Sequence, residues 1–196
     1  MILTDKLRKI FSGVIRKIAR MMIHSGISAN TITIIGCLGN VIAAGFISQG
    51  KLFTGGVIAG VNSLLDALDG AVAEEGAGIT VYGSFLDSTL DRVSEYVLFL
   101  GMAIHFHVEN NSITILMTFL AFGGSILVSY IRAKGDSLGI SIKNGIMTRI
   151  ERLFVLVVSL LFNIPLIGLT IITVLSNITA VQRFSVVKKL LQEKGM

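Results

Sequence analysis

The stretch Asp66–Arg92, DALDGAVAEEGAGITVYGSFLDSTLDR, sets four aspartates between long apolar runs. They are Asp66, Asp69, Asp87 and Asp91, and no basic residue appears in the stretch before Arg92 closes it. Carboxylates at the edge of apolar segments are costly, so they need a reason to be there. The flanks say what kind of chain holds them. Of 196 residues, 53% are hydrophobic and 15% charged, with a mean hydropathy of +0.81. Soluble domains carry about 25% charged residues, so this composition excludes a soluble domain. Cys37 is the one cysteine, which excludes an internal disulfide.

Outward from the aspartates, hydropathy predicts six spans: Thr31–Ser48, Leu52–Ala73, Phe85–His105, Ile113–Ile131, Ile146–Phe162 and Ile164–Val181. Each approaches the ~20 residues that cross a bilayer. The expected fold is therefore all-α: a polytopic membrane protein of six transmembrane helices. Six spans put both termini on one side. Lys6, Arg8, Lys9, Arg16, Lys17 and Arg20 precede span one, and Arg92 follows the aspartate-bearing connection. Arg132, Lys134, Lys143, Arg149 and Arg152 lie between spans four and five, and Arg183, Lys188, Lys189 and Lys194 follow span six. Only Lys51 is left for the other side, so 16 of 17 basic residues are cytoplasmic by the positive-inside rule. The expected location is the plasma membrane, with both termini and the aspartates facing the cytoplasm.

The net charge of +5 then belongs to one membrane face and suits anionic lipid headgroups as partners. Nucleic acid is not expected as a partner, since no soluble domain presents the charge. Residues 1–25 place Leu7, Ile10, Phe11, Val14, Ile15 and Ile18 at helical spacing among basic residues. They predict an amphipathic juxtamembrane helix lying in the interface, the alternative being a disordered basic tail. A cleavable signal is not expected there, because no compact apolar core precedes a small-residue cleavage site. Residues 26–196 are expected to form one membrane domain.

On helices, Asp66 and Asp69 share a face, as do Asp87 and Asp91. The short connection Glu74–Tyr82 makes the two helices antiparallel neighbours and brings the pairs together. Four carboxylates at that depth would raise one another's pKa unless cations offset them. Two divalent ions would cancel the four charges, and oxygen-only ligands favour Mg²⁺ or Mn²⁺. Gly70 and Gly83 leave room for backbone, metal and ligand to approach. A metal pair of this kind stabilises attacking and leaving oxygens in phosphoryl chemistry. The bland alternative, solvated charges at helix ends, explains single aspartates but not two face-sharing pairs flanked by glycines.

Asp66-x-x-Asp69-Gly70-x-x-Ala73, then Gly83-x-x-x-Asp87-x-x-x-Asp91, resembles the signature of the CDP-alcohol phosphotransferases. The resemblance runs from about Gly26 to Arg183, with GISANTIT like the family's opening. It implies a six-helix membrane enzyme, usually a homodimer, that takes the phosphatidyl or archaetidyl group of a CDP-linked lipid and releases CMP. It also implies roles. Asp66, Asp69, Asp87 and Asp91 would hold two metals on the diphosphate, Gly70 and Ala73 would border the cytidine, and Asp91 would deprotonate the acceptor hydroxyl. Asp91 as a fourth ligand alone stays open beside its role as base. One position departs from the family pattern: Glu74, followed by Glu75, stands where the family usually has arginine. Arg92 or Arg132 could compensate, the donor could be held more weakly, or the enzyme could be slow.

The stretch Ser129–Leu156, SYIRAKGDSLGISIKNGIMTRIERLFVL, brings Arg149 and Arg152 to membrane depth and ends span four with Arg132. Buried arginines face cavities and anions, and a planar guanidinium suits phosphate. Pairing with Glu151, or snorkelling to the surface, is the alternative. The stretch resembles members whose acceptor is a phosphorylated alcohol. Inositol phosphate is the expected acceptor, with FLDSTLDR like that branch, and glycerol 3-phosphate is the alternative. Arg132, Arg149, Arg152 and, more weakly, Arg183 are the candidates for its phosphate. A divalent-cation transporter is the rival from another class, but arginines beside the aspartates would repel its cargo. A catalytically dead lipid-binding scaffold is suggested by Glu74 alone.

Overall fold

The structure is a computed structural model and describes residues 13, 15–76, 78, 80–142 and 145–194. Of the expected interfacial helix, Leu7, Ile10, Phe11 and Val14 lie outside the described residues, as do Lys6, Arg8, Lys9 and Lys143. The described residues form helices only. They are α1 (residues 15–24), α2 (Ala29–Ser48), α3 (Leu52–Glu75), α4 (Val81–Val108), α5 (Ser112–Ser137), α6 (Arg149–Leu161) and α7 (Pro165–Glu193).

Local chemistry marks the ends. Gly26 takes φ 74°, a left-handed step that suits glycine, and Ile27 N–H reaches back to Met22 O to close α1. Two residues on, Ser28 caps α2, its hydroxyl accepting from Thr31 N–H at 3.2 Å. Asn110 and Asn163 make the same left-handed step after α4 and α6, and Pro165 opens α7 where a missing N–H costs nothing.

The chain divides into two compact units, residues 1–101 and 102–196. In the first, α2 and α3 pack as an antiparallel hairpin. A buried amide pair joins them, Asn62 Nδ2 donating to Asn40 Oδ1 at 3.3 Å, as polar side chains do between helices in lipid. Gly39 makes room for it, since a Cβ there would stand 2.4 Å from Asn62 Oδ1. A Cβ on Gly101 of α4 would stand 2.6 Å from Ala44 O of α2, so these backbones touch. Ala19 of α1 is fully buried against a cluster containing Ile32 and Val72.

In the second unit, α7 packs along α5 and against α6. Gly124 of α5 meets Asn177 and Ser176 of α7, and Gly168 of α7 meets Ser159 of α6. A Cβ on Gly55 of α3 would stand 2.4 Å from Ile47 Cγ1 of α2, so Gly55 and Gly124 both pack within the chain. Gly123 faces open space instead.

Among the described residues four helices, α2, α3, α5 and α7, are long and apolar enough to cross a membrane. Ile34, Leu38 and Val41 of α2 lie exposed, as a lipid-facing surface requires. The other two expected spans differ from this standard for separate reasons. α4 has 28 residues but carries Asp87, Asp91, Arg92 and Glu95 within its first 15. α6 has 13 residues, about 20 Å of helix, because residues 145–148 before it are not helical.

Candidate active site

In the first unit, helical spacing on α3 turns Asp66 and Asp69 to one side. Asp69 faces α2 and is 6% exposed, with Thr33 Oγ1 donating to its Oδ2 at 2.7 Å. Asp66 is half-buried opposite Gly36 of α2, where a Cβ would stand 3.5 Å from Asp66 Oδ1. Asp87 of α4 is also half-buried, and both it and Asp66 lie close enough to act electrostatically on Asp69. Asp91 follows one turn later, half-buried as well. Three of the four carboxylates therefore share one neighbourhood.

Gly70 and Ala73 continue the same turns of α3. Among the described residues nothing stands within 4 Å of a Cβ built on Gly70, so that edge of the helix is open. Gly83 has another reason to be glycine: a Cβ would stand 2.9 Å from Thr80 Oγ1, which accepts its N–H. No three His, Cys, Asp or Glu side chains close into a metal-holding cluster among the described residues. The donor chemistry nevertheless fits a hard divalent cation. Asp69 is buried beside two like charges and its bonds, from the Thr33 hydroxyl and the Gly70 backbone, are neutral, which leaves negative charge for a cation to offset.

The second unit gathers arginines. Arg152 of α6 is 2% exposed and Arg183 of α7 is 3% exposed. Arg152 and Arg132 both lie close enough to act electrostatically on Arg183. Arg183 Nη1 donates to Val128 O of α5 at 2.8 Å, and Arg152 Nη1 makes a longer contact, 3.4 Å, to Met147 O. Arg132 is exposed, with Nε 3.9 Å from Asp136 Oδ2 one turn along α5. Arg149 opens α6 and is half-buried. The Glu151 carboxylate accepts from the N–H of Thr148, at 2.9 Å, and from its hydroxyl, capping α6. Of the two arginines for which snorkelling is the alternative, Arg152 is buried and Arg149 half-buried. Three guanidiniums brought together repel one another, a cost that an anion between them would relieve.

The chain matches the family model described as CDP-alcohol phosphatidyltransferase over residues 26–183. The chain belongs to the CDP-alcohol phosphatidyltransferase family. It is 35% identical over 190 residues to the archaetidylinositol phosphate synthase of Pyrococcus horikoshii, covering 96% of this chain and 98% of that one. It is 31% identical over 192 residues to the phosphatidylinositol phosphate synthase of Mycobacterium tuberculosis, covering 92% and 88%. The crystal structure of that Mycobacterium tuberculosis synthase with CDP-DAG bound matches with a TM-score of 0.81 at 30% identity, over 89% of this chain and 93% of that one. Its complex with manganese and citrate matches with a TM-score of 0.83 at 29% identity, over 88% of each chain.

As a CDP-alcohol phosphatidyltransferase family member the chain is a transferase, and its departure from the family arginine acquires a setting. Glu75, next to Glu74, is held from α1: Arg20 Nε donates to its Oε2 at 2.9 Å, and Arg16 Nε lies 3.7 Å from its Oε1. Arg92, one expected compensator, folds back onto Ser88 O of its own helix. Sequence reading does not single out Thr33, Thr179 or Gly145, because their contacts with Asp69, Met147 and Arg183 join segments distant in the chain. Asp136 was legible, standing four residues after Arg132 where helical side chains of opposite charge meet.

Proposed function

We propose that this enzyme transfers the phosphatidyl or archaetidyl group of a CDP-linked lipid to a hydroxyl of inositol phosphate and releases CMP. The acceptor oxygen bonds to the β-phosphorus, the bond from that phosphorus to the oxygen shared with the α-phosphate breaks, and CMP departs with that oxygen. Asp66, Asp69, Asp87 and Asp91 are the ligands for two Mg²⁺ or Mn²⁺ ions, which when bound offset the carboxylates and polarise the diphosphate. Gly70 and Ala73 border the cytidine. Asp91 takes the acceptor proton. Arg132, Arg149, Arg152 and Arg183 hold the acceptor's phosphate.

The observation that carries the choice of acceptor is the arginine group. Two of its members are buried and a third lies within electrostatic reach. A neutral or zwitterionic alcohol would give such a group little to bind, whereas a phosphate dianion suits it. The proposed setting is a plasma-membrane homodimer of six-span subunits, with residues 1–25 as an interfacial helix, residues 26–196 as the membrane domain, and both termini and the site cytoplasmic.

The test is CMP release by purified protein with Mn²⁺ and a CDP-lipid, given inositol phosphate, glycerol 3-phosphate, serine or inositol. Turnover with inositol phosphate above the other three is expected. Preference for glycerol 3-phosphate would replace the acceptor and keep the arginines. Preference for serine or free inositol would remove the arginines from the acceptor site.

A further inference from the structure

The four residues before α6 interrupt the helix at a costly place, and the way their backbone is bonded suggests what they do. Met147 is buried, and its two peptide groups point to different helices. Its N–H donates to Thr179 Oγ1 of α7 at 3.1 Å, while its carbonyl is the atom that Arg152 Nη1 approaches. Thr179 is fully buried, and its own hydroxyl donates to Leu175 O at 2.7 Å, which fixes the lone pair offered to Met147. Thr179 sits one turn before Arg183 on α7. Gly145 completes the contact. A Cβ there would stand 3.1 Å from Arg183 Nε, 3.2 Å from Arg183 Nη2 and 2.8 Å from Thr179 Cγ2. The bare Cα therefore lies against the guanidinium, leaving Arg183 Nη1 aimed at Val128 O.

We propose that residues 145–148 are a positioning strap for the acceptor-phosphate arginines, anchored by the Thr179 hydroxyl, which sets Arg183 through Gly145 and Arg152 through the Met147 carbonyl. The proposal rests on the reading that Arg152 and Arg183 hold the acceptor's phosphate. It makes Thr179 and Gly145 residues that tune acceptor binding without touching the acceptor. Thr179→Val keeps the shape and removes the anchor. Met147 N–H then loses its partner in a dry setting, and the strap shifts with both guanidiniums.

The experiment compares wild type, Thr179→Val, Thr179→Ser, Gly145→Ala and Arg183→Lys as full-length protein in detergent with Mn²⁺. KM for inositol phosphate and for CDP-lipid, kcat, and the calorimetric Kd for inositol phosphate are read for each. Thr179→Val is expected to raise the KM and Kd for inositol phosphate about 3- to 10-fold, the range that losing one neutral hydrogen bond gives. KM for the CDP-lipid should stay within about twofold, and Thr179→Ser, which keeps the hydroxyl, should behave as wild type. Arg183→Lys separates the two readings, since it keeps the charge and loses the planar fork. If Arg183→Lys weakens acceptor binding while Thr179→Val does not, the strap is refuted and the arginine site stands. If neither variant changes acceptor binding, both fall together. Equal weakening of donor and acceptor by Thr179→Val would make the threonine a general packing residue and overturn the proposal. Should Thr179→Val fail to fold, Thr179→Ala carries the same test with the same outcomes, because it removes the same hydroxyl with a smaller side chain.

Discussion

Asp69 is the least exposed of the four carboxylates, and neutral bonds from the Thr33 hydroxyl and the Gly70 backbone are a small return for burying a charge beside Asp66 and Asp87. A bound divalent ion changes that balance, so Asp69 should report the metal most directly. Asp69→Asn keeps the size of the side chain and can still accept from Thr33. It is expected to abolish CMP release and, in the same protein, the rise in melting temperature that Mn²⁺ gives wild type. A variant retaining both would remove Asp69 from the metal site. Asp91 should behave differently. As the base, Asp91→Asn should keep Mn²⁺ and CDP-lipid binding near wild type while kcat falls roughly 10²-fold or more. Loss of Mn²⁺ binding together with the rate would make Asp91 a ligand instead. The aspartates were legible because their spacing repeats the helical period within one short stretch. Thr33 was not, because its contact with Asp69 joins residues 36 apart and leaves no periodic trace.

Among the elements, α1 shows which of two forces holds a helix in place. Arg16 and Arg20 reach Glu75 with their own side chains 62% and 67% exposed, and such pairs contribute about 0.2–1 kcal/mol. Ala19 is fully buried with Ile32 and Val72, so a charge placed there would have to be desolvated or the helix displaced. Ala19→Asp is therefore expected to speed hydrogen exchange of residues 15–24 by more than tenfold, whereas Glu75→Gln should change it by about fivefold or less. If Glu75→Gln has the larger effect, the ion pairs rather than the apolar seam dock the helix. Every expected span finds a helix at its place, since runs of apolar residues bounded by Gly, Asn and Pro are strong signals. The helix at span five starts at Arg149 rather than Ile146. Hydropathy cannot see that shift, because Ile146 and Met147 are apolar whether they lie in a helix or in a strap.

For the whole molecule, whether α6 crosses the membrane decides the proposed topology. With α6 alone the chain would fall short of the ~30 Å hydrocarbon layer, since 13 residues make about 20 Å of helix. Residues 145–148 add at most about 13 Å, which closes the gap. Non-helical backbone is tolerated at that depth only where the protein satisfies its polar groups, and the bonds of Met147 to Thr179 and Arg152 do so. α4 meets the same difficulty by length. Its charged residues lie within the first 15 residues, and the 13 after Glu95 are apolar as far as the histidines near its end. The proposed six crossings would put the turns at Gln49, Asn110 and Asn163 on the outside and those at Ser25, Gly139 and Lys194 in the cytoplasm. Replacing Cys37 by serine gives a background free of thiols, because it is the one cysteine of the chain. A single cysteine placed at 49, 110 or 163 should then react with a membrane-impermeant maleimide in intact cells. Cysteines at 25, 139 or 194 should react only after the membrane is opened. The informative pair is 139 and 163, which flank the strap and α6. Opposite behaviour is the signature of a crossing there, and equal behaviour would leave α6 on one side of the membrane and reverse the side assigned to every residue of α7's loop.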